Sequence, residues 1–198
     1  MDKLISKAKI KKLTMVDTKH ITWLVKFVSQ IKEGKMVELG VAKGGVLALC
    51  SRANPNLEVI AMDSWEKMPS ITKEDQQEHK KYEGVAWASK EDVIKTYCIL
   101  RAPQEKLTLI KGYFEDTIPK NLDKLNNITI LRIDCDWYVA VKYVLEQLYS
   151  KVIIGGLVII DDYHWNIGCK KAVDEFLPNL KYYQHYKNNF GPIYFFKK

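Results

Sequence analysis

No two of the four cysteines stand at a metal-binding or redox spacing. Cys50, Cys98, Cys135 and Cys169 are scattered along the chain, so no CxxC motif is present and no disulfide framework can be inferred. All four read as reduced thiols. Histidine is sparse too, at four residues, and no His/Cys cluster suits zinc. No apolar run approaches the roughly 20 residues that a membrane-spanning helix needs. The N-terminus is lysine-rich without a continuous apolar stretch of the signal-peptide kind, so a cytoplasmic protein is expected. The GxGxxG fingerprint of dinucleotide binding is missing, as are internal repeats and low-complexity segments.

A chain of 198 residues, 47% of them hydrophobic, is long enough for one sizeable core and short for two. The expectation is one domain over 34–198 behind a helical N-terminal extension over 1–33. The net charge of +7 is unevenly placed, because residues 1–35 hold nine lysines against three acids. Such a skew can mark a nucleic-acid or membrane contact. Here Leu4, Ile5, Ile10 and Leu13 interrupt the charges, so the segment reads as a solvated helical face. Its partly apolar character also suits a contact between copies in a homo-oligomer.

In chain order, Thr18 or Asp17 caps a helix whose apolar positions Ile21, Leu24, Val25, Phe27 and Val28 recur at helical spacing, and Gly34 ends it. Met36–Gly40 is a short strand opening into a glycine turn, and Val46–Arg52 resumes as a helix. Glu58–Met62 is a second strand closed by Asp63. This β, turn, α, β, acid layout is that of a dinucleotide- or nucleoside-binding half-sheet. Over 64–104 aromatic residues alternate with charges: a helix is expected from about Lys90 to Leu100, and 70–88 reads as a mobile loop or lid. Leu107–Lys111 is a third strand, and Ile167–Phe176 a late helix. Leu180–Tyr186 and Pro192–Lys197 close the chain as an antiparallel pair.

The chain is organised around Asn127 to Trp165. Two β-branched runs, at about 128–134 and 156–162, end in Asp134-Cys135-Asp136 and Asp161-Asp162. An amphipathic segment and a Gly155-Gly156 stop lie between them. That reads as parallel strands joined by a helix, with acids at the carboxyl edge where open α/β sheets bind ligands. Four carboxylates gathered there repel one another unless a cation sits among them. A helix cap explains one acid of Asp161-Asp162. It explains neither the second nor the pair on the neighbouring strand.

The turn Glu38-x-Gly40-x-x-x-Gly44-Gly45 has two readings. An acid ahead of it repels a pyrophosphate and suits a ligand carrying a cationic amine. Alternatively, the glycines serve only a β–α turn at positive φ. Asp63 either accepts ribose hydroxyls or caps the following turn.

ELGVAKGG, MDSWEKMP, GYFEDTIP, LRIDCDWY, LEQLYSKVIIGGLVIIDDYHW and KKAVDEF, taken in order, resemble the macrocin O-methyltransferase family. These are S-adenosylmethionine-dependent sugar methyltransferases of antibiotic pathways. The resemblance runs from about Thr14 to Lys198. It implies an α/β class I methyltransferase fold, Rossmann-like: a mostly parallel seven-stranded sheet with one antiparallel strand and flanking helices. Carried over by position, it implies that Glu38, Gly40, Val41, Gly44 and Gly45 hold the methionine part of S-adenosylmethionine. Asp63 and Ser64 would take the ribose, and Phe114 and Glu115, with Asp116 behind, the adenine. Asp134, which also borders the cofactor, would join Asp161 and Asp162 in ligating Mg²⁺, the hard cation that all-oxygen ligation favours.

A metal would lower the pKa of a sugar hydroxyl and aim it at the sulfonium methyl. Asp136 is the candidate base, on the same side as Asp134 if the strand continues, or else a further ligand. His79 and His164 are weaker base candidates. Two departures stand out. Cys135 replaces the family's small residue between its two acids. Trp137 stands where catechol-type enzymes carry a catalytic lysine. The expected partner is a small acceptor: a sugar, nucleotide sugar or glycoside. A nucleic-acid methyltransferase or binding protein, and a nicotinamide-dependent oxidoreductase, are the alternatives.

Overall fold

The chain alternates strand and helix because its apolar runs alternate in period. A computed structural model describes residues 10–184 and 191–198. Its helices are α1 (Thr18–Val28), α2 (Gly45–Ala53), α3 (Lys90–Leu100), α4 (Phe114–Thr117), α5 (Tyr138–Leu148) and α6 (Ile167–Phe176). The strands are β1 (Lys35–Leu39), β2 (Glu58–Asp63), β3 (Leu107–Lys111), β4 (Ile128–Ile133), β5 (Val152–Ile160), β6 (Tyr183–Gln184) and β7 (Ile193–Phe196). They form one seven-stranded sheet in the order β3-β2-β1-β4-β5-β7-β6. All neighbours through β5 are parallel, and β7 runs antiparallel to both β5 and β6. This is the Rossmann-like class I arrangement that the resemblance implied.

Both sheet faces are covered, so β1, β4 and β5 are apolar on both sides. On one face Val37, Leu131, Ile133 and Val158 pack with Val144, Leu148 and Val173 of α5 and α6. On the other, Met36, Ile130 and Ile159 pack with Leu24, Leu47 and Leu100 of α1 to α3. Each such fully buried side chain contributes about 1.5–3 kcal/mol. Glu38 and Arg132 interrupt this second face. They lie opposite each other in the β1–β4 ladder, where the strand order reverses and open sheets form their crevice.

The sequence expectations for α3 and α6 hold to the residue, and those for β1 to β4 and α2 within a residue or so. Three differ. Asp17 is the cap of α1, its Oδ1 accepting from Lys19 N at 2.7 Å, but the helix stops at Val28 instead of running to Gly34. The reason is tertiary: Asn54, at the end of α2, donates from Nδ2 to the carbonyls of Val28 and Ile31. The second difference is at Gly155-Gly156, which lies inside β5. Gly155 adopts φ 77°, and its N–H is held by Lys197 O at 2.7 Å, so the pair makes a bulge and not a stop. Third, β4 ends at Ile133, and Asp136 takes a left-handed φ of 58°. Strand alternation therefore does not carry from Asp134 to Asp136.

The described part of the N-terminal extension joins the core. Ile10, Ile21, Leu24 and Val28 are buried against this chain's own helices. Residues 1–9 of the expected helical extension, and 185–186 of the expected closing strand, lie outside the described residues. Among the described residues no helix is long and apolar enough to cross a membrane.

Asn54→Ala is expected to lose about 1–3 kcal/mol of stability, the cost of leaving buried carbonyls unpaired. Urea unfolding followed by circular dichroism checks this, and an unchanged midpoint would remove Asn54 as the reason α1 stops early.

Candidate active site

The glycine turn, Asp63 and the acids after β4 and β5 lie at the carboxyl edge of the parallel strands or just beyond it. β1 ends in Glu38 and Leu39 and opens into the glycine turn. Gly40 has φ 85°, and a Cβ there would meet the carbonyl oxygen of Asp134 at 1.7 Å. Only glycine lets the first turn close against the acid-bearing turn after β4. The next residues, Val41 and Ala42, donate their N–H groups to Asp63 Oδ2 at 2.8 and 2.9 Å. Asp63 Oδ1 accepts from Trp65 N at 2.8 Å. Asp63 thus caps both turns, and about three of its roughly four lone-pair sites are taken. That leaves about one acceptor site open. Ser64 sits beside it, and Gly112 N donates to Asp63 O at 3.0 Å, which brings Phe114 and Glu115 to the same edge. Asp116 is exposed beside them.

The acids after β4 and β5 come together as expected. Asp134, Asp161 and Asp162 offer oxygens that all lie within 4.8 Å of one another. Asp134 N donates to Leu39 O and Asp161 N to Ile133 O, at 2.8 and 2.9 Å, so both acids extend the ladder just past its regular end. Asp162 Oδ2 is buried with no hydrogen-bond partner. Three convergent carboxylates with an orphaned oxygen match the donor set of a hard divalent cation. Asp136 sits close enough for its charge to be felt by Asp134 and Asp161.

A cation already sits among these acids, and it is Arg132. Its guanidinium is wholly buried between three carboxylates. Nη1 donates to Glu38 Oε1 at 2.5 Å and to Asp134 Oδ2 at 2.7 Å, and Nη2 to Asp161 Oδ1 at 2.6 Å. Glu38 Oε2 keeps no partner. Sequence reasoning missed Arg132, although an arginine inside the apolar strand ITILRI was the available signal.

Burial dominates the electrostatics. It pushes the Glu38 carboxyl up to about 8 despite the opposing pull of Arg132. Burial, reinforced by the neighbouring acids, also holds Asp134, Asp136 and Asp162 above the usual carboxylate range. For Asp134 the effect is softened by water, since a quarter of its side chain (25%) is exposed.

The stretch over 70–88 is tied to this edge. Asp75, buried, accepts from Tyr138 N at 2.9 Å and so caps α5 directly after the acid turn. Gln77–Tyr82 forms a short 3-10 helix. Gln76 Oε1 accepts from Ile167 N at 2.7 Å, and its Nε2 donates to Trp165 O at 3.1 Å. His79 is buried and stacked on Trp165, with ring centroids 4.1 Å apart. Its nitrogens lie within hydrogen-bond distance of Gln76 and Asn166, and burial lowers its pKa. His164 Nε2 lies 2.8 Å from Gln184 Oε1. Trp137 packs in the same ring cluster, 5.9 Å from His79.

The family model described as Macrocin-O-methyltransferase (TylF) matches residues 9–186. The chain belongs to that family. It is 31% identical over 153 residues to a demethyldecarbamoylnovobiocin O-methyltransferase of Streptomyces niveus, covering 72% of this chain and 58% of the relative. It is 27% identical over 153 residues to the 8-demethyl-8-(2,3-dimethoxy-alpha-L-rhamnosyl)-tetracenomycin-C 4'-O-methyltransferase of Streptomyces olivaceus, with the same coverage. The chain thus spans under two thirds of the length of these curated relatives. Among solved structures, the O-methyltransferase NovP superposes with a TM-score of 0.78 at 25% identity, over 93% of this chain and 82% of NovP.

The raised carboxyl of Glu38 carries a signed prediction. In metal-free protein the folded state keeps its proton up to about pH 8, whereas the unfolded chain releases it near 4.5. Its contribution to stability is therefore full below pH 4.5 and lost by about 8. Glu38→Gln should remove this dependence, flattening stability against pH by about 1.4 kcal/mol per pH unit across that window. Denaturant titrations of both proteins from pH 5 to 8 check it, and parallel curves would contradict the assignment.

Proposed function

We propose that this protein is a metal-dependent O-methyltransferase that moves a methyl group from S-adenosylmethionine to a hydroxyl of a sugar or glycosylated small molecule. The observation that carries the reading is the pair of orphaned carboxylate oxygens on one crevice. Glu38 Oε2 lies under the glycine turn, and Asp162 Oδ2 lies among the three clustered acids. The first suits the cationic amine of the cofactor and the second a divalent ion. Membership of the family supports the reaction, and the rhamnosyl group in one relative's name supports a sugar acceptor.

Each residue then has a task. Glu38 and the turn Gly40, Val41, Gly44 and Gly45 hold the methionine end of the cofactor, with Asp134 at its border. Asp63 takes one ribose hydroxyl beside Ser64, and Phe114 and Glu115 flank the adenine. Asp134, Asp161 and Asp162 hold Mg²⁺, which supplies Lewis acidity to the acceptor hydroxyl. Asp136 lies next to these ligands and accepts the hydroxyl proton on a carboxylate oxygen as the methyl leaves sulfur. The residues over 70–88 act as the lid that chooses the acceptor.

Asp134→Ala and Asp161→Ala should each lower turnover by more than about 100-fold while S-adenosylhomocysteine still binds. Turnover is read by mass spectrometry as the gain of one methyl group on nucleotide sugars and glycosides, and cofactor binding by calorimetry. Full activity in either variant, or of the unaltered protein in EDTA, refutes the metal role.

A further inference from the structure

The reaction just described leaves one buried charge without a task. Arg132 is the largest fully buried side chain among the described residues, and a guanidinium cannot shed its charge on burial. An ordinary structural arginine would face one carboxylate. This one faces three, from β1, from the turn after β4 and from the turn after β5. Two of the three belong to the cluster proposed as metal ligands. Arg132 engages each of these through a single oxygen, Oδ2 of Asp134 and Oδ1 of Asp161, so the other oxygen stays outside the guanidinium contact.

We propose that Arg132 is a built-in counter-ion of the acidic edge. It stands in for the divalent ion whenever none is bound, and it competes with that ion for the same carboxylates. This rests on the metal-site reading of the preceding subsection. Two consequences follow. A folded edge would not need metal, because one fixed positive charge always offsets part of the repulsion. Metal affinity would be held down, because an incoming cation meets a cation already in place. The same guanidinium joins Glu38 to the metal ligands, so the cofactor side and the metal side share one charge.

A residue that only fills space gives a different signature. Its loss would destabilise the protein equally with and without metal, and disordered ligands would bind metal more weakly. The test compares unaltered protein, Arg132→Lys and Arg132→Met, each melted in EDTA and in millimolar Mg²⁺, with Mg²⁺ binding followed by calorimetry. Arg132→Met should melt about 10 °C lower in EDTA, the size of effect expected when one partner of a buried ion pair is removed. Mg²⁺ should restore at least half of that loss and shift the unaltered protein far less. Arg132→Met should also bind Mg²⁺ at least about 10-fold more tightly, since a repelling charge has gone. Arg132→Lys, which keeps the charge, should stay near the unaltered protein in Mg²⁺ affinity.

Equal or weaker Mg²⁺ binding by Arg132→Met overturns the counter-ion role alone. Absence of Mg²⁺ binding in all three proteins overturns the metal reading and this inference with it. Should Arg132→Met stay unfolded even in Mg²⁺, the double variant Arg132→Met/Glu38→Gln removes one of the three carboxyl groups left without their guanidinium. That variant must fold in Mg²⁺, and its failure to do so overturns the inference.

Discussion

One guanidinium held between three carboxylates is the constraint on which the site depends. Arg132 and Glu38 meet across the β1–β4 ladder, where the sheet order reverses, and Asp134 and Asp161 close over them from the next two turns. Ion pairs this deep are expensive to desolvate, and removing one partner usually costs about 3–5 kcal/mol. Such an arrangement persists only when the backbone around it is firmly placed. Gly40 is part of that placement, since any side chain there would strike the Asp134 carbonyl.

The same placement explains why the two halves of the site adjoin. Glu38 faces Arg132 with one oxygen and keeps the other without a partner, under the turn that follows β1. Asp162, one residue past an Arg132 partner, has an orphaned oxygen of its own. A ligand with a cationic amine and a hard cation therefore have complementary groups waiting a short distance apart. The shared charge between them is a consequence of strand register, not of a dedicated loop.

A second set of contacts fixes the outer side of the site. The stretch between β2 and α3 looks like a charged surface loop in the sequence. Yet Asp75 caps α5, Gln76 bridges to the turn after β5, and His79 lies against Trp165. The cap matters locally because the α5 N-cap, Trp137, provides no side-chain hydrogen bond. These polar side chains serve backbone groups that would otherwise be open, and they hold this stretch against the acid-bearing turns.

What was legible in the sequence was whatever depends on local pattern. Apolar periodicity placed α3, α6 and the central strands, and turn chemistry marked the glycine turn and the acids that end β2, β4 and β5. Parallel strands force their carboxyl ends to one edge, so the convergence of Asp134, Asp161 and Asp162 followed from order along the chain. Non-local partners were out of reach. Asn54 ended α1 short of Gly34, pairing to Lys197 kept Gly155-Gly156 inside β5, and a left-handed Asp136 broke the alternation expected from Asp134. The sequence by itself determined that these acids gather at one edge, where they repel one another unless a cation sits among them. Only the tertiary structure decided that Arg132 is a cation among them, because which charge reaches carboxylates from one strand and two turns is set by register and burial.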